Sequence, residues 1–161
     1  MISTTQIIAL TLAAIACVLA ACTDLASRRV PNAITLPLLA AAPIVAVFGG
    51  WRPALVACAI VAAGLGAGAC LHAAGLLGGG DVKLLAGVSA LAGFPYCVDV
   101  VLYTGVCGGL LALIYAASRG ELRGVIAHLP TGVRLPYALA IGTGFALTTA
   151  GATVFPALRI V

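Results

Sequence analysis

The chain is a succession of long apolar runs broken by isolated charges. Uncharged stretches cover residues 1–23, 33–51, 53–80, 84–98, 100–118 and 135–158, and a helix that crosses a bilayer needs about 20 mostly apolar residues. The pattern predicts an all-α, polytopic membrane bundle of about six transmembrane helices. The runs use nearly the whole chain, so residues 1–161 read as a single transmembrane domain with no room for a soluble one. The fourth run is short: at 1.5 Å per residue it reaches about 22 Å against a hydrocarbon core of about 30 Å. Tilt, local thinning or re-entry would have to follow there.

Composition agrees with this reading. Only 7% of the residues are charged, 63% are hydrophobic, and the mean hydropathy is +1.24. The net charge of +4 comes from cations scattered singly between apolar runs, with no basic patch or stripe, which argues against a nucleic-acid partner. The six cysteines form no CxxC pair and fall within or at the edges of apolar runs, so they read as small buried hydrophobes, with neither a zinc site nor a disulfide framework expected. Leu19-Ala20-Ala21-Cys22 imitates a lipoprotein cleavage box. The first ten residues, MISTTQIIAL, carry no Lys or Arg, whereas a signal peptide begins with a positive segment. Small residues recur in GLGAGAC (64–70), VCGGLLA (106–112) and AIGTGFA (140–146), and most of the glycines are expected to let helices approach closely.

The cations also set an orientation. With six spans, the loops on one face carry Arg28, Arg29, Lys83, Arg119, Arg123 and Arg134, while the other face holds only Arg52 and Arg159. The positive-inside rule makes the first face cytoplasmic and leaves both termini outside. A re-entrant fourth segment would divide the cations evenly and erase the bias.

Against this background the four acids, Asp24, Asp81, Asp99 and Glu121, stand out. Asp24 ends the first run and Asp81 begins the fourth, so the topology brings both to the cytoplasmic membrane boundary. Acids near membrane depth are costly and usually face the bundle interior or a water-filled cavity, which makes them functional candidates. In GGGD (78–81) three glycines permit a tight, strained turn or close approach of another chain, and Asp81 stands where an N-cap would. Taken alone, the stretch reads equally as a capped loop. It is not a Walker loop, since GxxxxGK[ST] is absent. TDLASRRVPNAIT (23–35), taken alone, reads as a cytoplasmic connection: a helix stop, two arginines and a Pro-Asn turn.

The pair together suggests chemistry. Two carboxylates on one water can share a proton, one acting as base on the water and the other as acid toward a carbonyl oxygen. That is peptide hydrolysis with no metal, no covalent nucleophile and no cofactor. His72 and His128 lack the spacing of a metal site, and His72, inside the third run, reads as structural. Helix dipoles would make Asp81, at an N-terminus, the readier base and Asp24, at a C-terminus, the acid. Lys83 would orient the protein, keep Asp81 charged or bind an acidic group on a substrate.

At these residues the chain resembles the type IV prepilin peptidases, membrane aspartic proteases of the GxGD class. The match rests on Asp24 followed by Arg29-Val30-Pro31-Asn32, and on Gly78-Gly79-Gly80-Asp81-Val82-Lys83-Leu84, which is similar to the family's GxGDxK. A weaker echo is Leu135-Pro136-Tyr137-Ala138-Leu139-Ala140-Ile141, similar to the start of the family's last helix. The resemblance implies removal of the leader from a prepilin or pseudopilin at the cytoplasmic face of the bacterial inner membrane. Asp24 and Asp81 would be catalytic, with Gly78, Gly80, Lys83, Arg29, Pro31 and Asn32 in support. The implied substrate is a small protein with a basic leader followed by a hydrophobic helix, entering laterally from the bilayer. Long members of the family carry paired CxxC motifs associated with zinc and with methylation of the new N-terminus. Their absence here puts methyl transfer in doubt, and the short chain resembles the compact forms that accompany Flp-type (tight-adherence) pili. Rival readings are a proton or cation transporter, which would put the acids near the midplane with inverted repeats, and a non-catalytic assembly subunit, which would tolerate loss of either aspartate.

Overall fold

The computed structural model describes residues 3–119 and 136–151. They form α1 (Thr4–Ser27), α2 (Asn32–Val47), α3 (Trp51–Ala73), α4 (Gly79–Ala92), α5 (Tyr96–Arg119) and α6 (Tyr137–Thr149), with no strand among the described residues. The fold is a helical membrane bundle. Three helices, α1, α3 and α5, are long and apolar enough to cross a membrane, and α2 and α6 are shorter apolar helices. The loop cations Arg123 and Arg134, Glu121, His128 and Arg159 lie outside the described residues.

Helix ends follow local chemistry. Ser3 and Gln6 form a reciprocal capping box at the start of α1, satisfying two donors that the first turn leaves open. Pro53 sits in the first turn of α3, where a missing N–H costs nothing. The uncharged run 53–80 is not one helix: α3 stops at Ala73, the chain turns at Gly75 (φ 74°), and α4 begins at Gly79. The fourth helix is therefore displaced from the run 84–98, since Gly93 (φ 73°) ends it by adopting a conformation open to few other residues.

The packing of α1 is inverted relative to a helix of a water-soluble protein. In α1 the buried face is Ala9, Ala13, Ala16, Cys17, Ala20 and Asp24, while Ile7, Ile15, Val18 and Leu19 are exposed. Small residues inside and large ones outside suit a helix whose solvent is hydrocarbon, because association there depends on close backbone approach. The 14-residue α4 packs against all five other helices, and Val82, Leu84 and every residue from Ala86 to Leu91 are buried. A helix packed against five neighbours is largely shielded from lipid, so its length need not match the bilayer. Glycines set its closest contacts: a β-carbon at Gly64 would lie 3.0 Å from that of Ala86, and one at Gly87 would lie 2.8 Å from a Leu38 methyl.

Candidate active site

Asp24 reaches the interior because it continues the small-residue face of α1, one turn beyond Ala20. It lies in the last turn of the helix, which runs on to Ser27. Arg28 then closes α1 in the left-handed conformation (φ 54°), its N–H donating to the Asp24 carbonyl at 2.8 Å. The Arg28 guanidinium lies 5.9 Å from the centre of the Tyr115 ring, which ties this turn to α5. The Asp24 carboxylate itself is buried, and its Oδ2 accepts the backbone N–H of Ala138 in α6 at 3.1 Å.

Asp81 is the third residue of α4 and not its N-cap. Gly78 takes the extended cap conformation (φ −71°, ψ 144°), and the Asp81 carboxylate folds back toward the Gly78 N–H. The expected strained turn is also absent, since none of Gly78, Gly79 and Gly80 has a positive φ. These glycines supply space instead. A β-carbon on Gly78 would lie 2.7 Å from Asp81 Oδ2, and one on Gly80 would lie 2.6 Å from the carbonyl oxygen of Val30. The Arg29-Val30-Pro31-Asn32 segment and the GGGD segment thus touch through backbone. Lys83 bridges them a second time, its Nζ donating to Asn32 Oδ1 at 2.8 Å. That bond, between two side chains in the supporting set, is the contact Lys83 makes in place of the expected pairing with Asp81. Pro31 is the N-cap of α2, and Arg29 is exposed beside it. His72, in the last turn of α3, ties down the connection before GGGD through a 2.8 Å bond between Nδ1 and the Leu77 carbonyl.

The two acids are electrostatic neighbours. Asp81, in the first turn of α4 ahead of the apolar run, is pushed up from 3.8 to about 6, first by burial and then by the Asp24 charge, while the Gly78 N–H pulls it down. Its Oδ1 is buried without a hydrogen-bond partner among the described residues. Such an acceptor costs about 1–3 kcal/mol in a folded chain unless something met in function satisfies it. Beside α4, between α3 and α5, lies an apolar groove of about 370 Å³ lined by Leu77, Val82, Gly68, Ser89 and Val101, and by neither acid.

Two acids from separate helices, Asp24 buried and Asp81 partly buried and raised by the Asp24 charge, meet at one end of a helical membrane bundle. A family model described as the type IV leader peptidase family matches residues 11–113, and the chain belongs to that family; it is a protease. No curated protein and no solved structure matches the chain. The matched region contains both acids and both motifs, and ends before α6. Sequence reasoning gave no site role to Tyr137 and Ala138, which bring α6 to the dyad. The available signal was Pro136, which begins α6 with no side chain able to cap it.

Proposed function

We propose that the protein is an aspartic leader peptidase that removes the leader from a prepilin or pseudopilin at the cytoplasmic face of the bacterial inner membrane, with Asp24 and Asp81 as the catalytic dyad. The observation that carries this reading is the electrostatic coupling of two acids held on different helices by the two motifs. Burial of Asp81 and the charge of Asp24 favour a division opposite to that suggested by the helix dipoles. Asp81 holds the shared proton and acts as acid, and Asp24 acts as base.

A water between the carboxylates gives a proton to Asp24 as its oxygen attacks the scissile carbonyl carbon, while Asp81 protonates the carbonyl oxygen. The tetrahedral diol then collapses: Asp24 returns its proton to the leaving nitrogen, the C–N bond breaks, and Asp81 recovers a proton from a diol hydroxyl. Oδ2 of Asp24, already occupied by the Ala138 N–H, keeps that carboxylate oriented through the cycle. The groove lined by Leu77 and Val82 offers apolar walls to the hydrophobic segment of a substrate whose cleaved bond lies at Asp81.

The test is leader removal from a co-expressed prepilin, read as a gel shift at matched membrane levels. Wild type is expected to cleave, and Asp24→Asn and Asp81→Asn to lose about 10²–10⁴ in rate, the range for removing a general acid or base. Normal cleavage by either variant would refute the dyad.

A further inference from the structure

The Ala138 N–H that holds Asp24 belongs to a helix outside both motifs. Pro136, at the start of α6, has no side-chain hydrogen bond to offer the first turn, so that turn takes its cap from α1. A donor of this kind is placed only as well as the turn that carries it. The neighbouring residue, Tyr137, fixes that turn from the other side. Its ring lies against Gly108 of α5 so closely that a β-carbon at 108 would be 2.8 Å from Cε2 and Oη and 2.9 Å from Cζ. The ring is half-buried against the central core, and its phenol lies within electrostatic reach of Asp81.

We propose that Tyr137 is a positioning residue of the dyad: its ring, seated on Gly108, fixes the first turn of α6 so that the Ala138 N–H holds the Asp24 carboxylate in place beside Asp81. The catalytic consequence rests on the leader-peptidase reading; the seat itself does not. Displacing a reacting group by about 1 Å can cost as much as about 10² in rate, so loosening this turn acts on kcat more than on KM.

Three variants separate the roles. Tyr137→Phe keeps the ring, Tyr137→Ala empties the seat, and Gly108→Ala places a methyl group where the ring belongs. Tyr137→Ala is expected to lower kcat for prepilin cleavage by about tenfold or more with KM little changed, and Tyr137→Phe to restore it. Gly108→Ala is expected to lower kcat in the wild-type background and to have little effect in Tyr137→Ala, because the two changes meet at one contact. If Tyr137→Ala does not fold, Gly108→Ala carries the same test from α5.

A second measurement needs no substrate: the carboxyl bands of the purified protein by infrared difference spectroscopy, with Asp24→Asn identifying the Asp24 band. That band reports the Ala138 hydrogen bond and is expected to shift in frequency in Tyr137→Ala and to keep its place in Tyr137→Phe. A Tyr137→Ala protein whose Asp24 band and turnover match wild type overturns the proposal, as does a Tyr137→Phe protein as impaired as Tyr137→Ala. If the wild type cleaves no prepilin while the infrared shift is present, the prepilin-substrate reading falls and the seat stands.

Discussion

At the scale of single residues, the two oxygens of Asp81 have different surroundings. One lies over Gly78; the other is buried with no partner among the described residues. The native state therefore favours the protonated acid, and Asp81 titrates near 6 instead of 3.8. The unfolded chain releases this proton at lower pH than the folded one, so the associated stability is full below 3.8 and is lost as pH rises through about 6. Asp81→Asn is expected to lack this dependence: thermal melts in detergent should show it more stable than wild type at pH 8, with the gap closing toward pH 4. If Asp81 is the acid of the reaction, kcat/KM should fall as pH rises past about 6. Both acids were visible in the sequence because carboxylates are so rare in it. The third partner was not, since the Ala138 donor is a backbone group whose one sequence signal is the uncapped turn that Pro136 opens.

At the scale of elements, the two motifs meet through a glycine and a carbonyl. Val30 can approach α4 only because Gly80 has no side chain. Gly80→Ala would press a methyl group against backbone that cannot rotate aside. It is expected to destabilise the protein by about 1–3 kcal/mol and to lower cleavage sharply, measurable as a reduced melting temperature and a weaker gel shift at matched expression. The sequence pointed to these glycines with two uses open, a strained turn and close approach, and only close approach is found, because GGG permits unusual dihedrals and tight spacing equally well. Hydropathy likewise could not locate the break between α3 and α4. Residues 74–78 are as uncharged as their flanks, and the turn at Gly75 and the His72 bond to Leu77 depend on geometry that a sum of apolar character does not contain.

At the scale of the whole molecule, α4 packs against the other five helices with branched side chains such as Leu84 and Val88, while the helix that carries Asp24 turns small residues inward and branched ones outward. Ala13, fully buried in α1, and Ile15, exposed two residues on, make the point testable. Ala13→Leu is expected to cost about 1–3 kcal/mol through overpacking, whereas Ile15→Ala should stay within about 0.5 kcal/mol, read as melting temperatures in one detergent. The bundle class was legible because hydropathy reports the solvent of a helix directly; the central place of α4 was not, since a lipid-facing and a protein-covered helix can have the same apolar composition.

The bond between Asp24 and Ala138 also fixes an order of events during synthesis. Asp24 enters the membrane with the first helix, and Asp81 follows when about half of the 161 residues have been made. The amide that holds Asp24 does not exist until residue 138 has been polymerised and α6 has docked on α1. A nascent chain halted after α5 would contain both aspartates without the amide that holds Asp24. The hold on that acid is thus the last of these parts to be made, although the acid itself is the first.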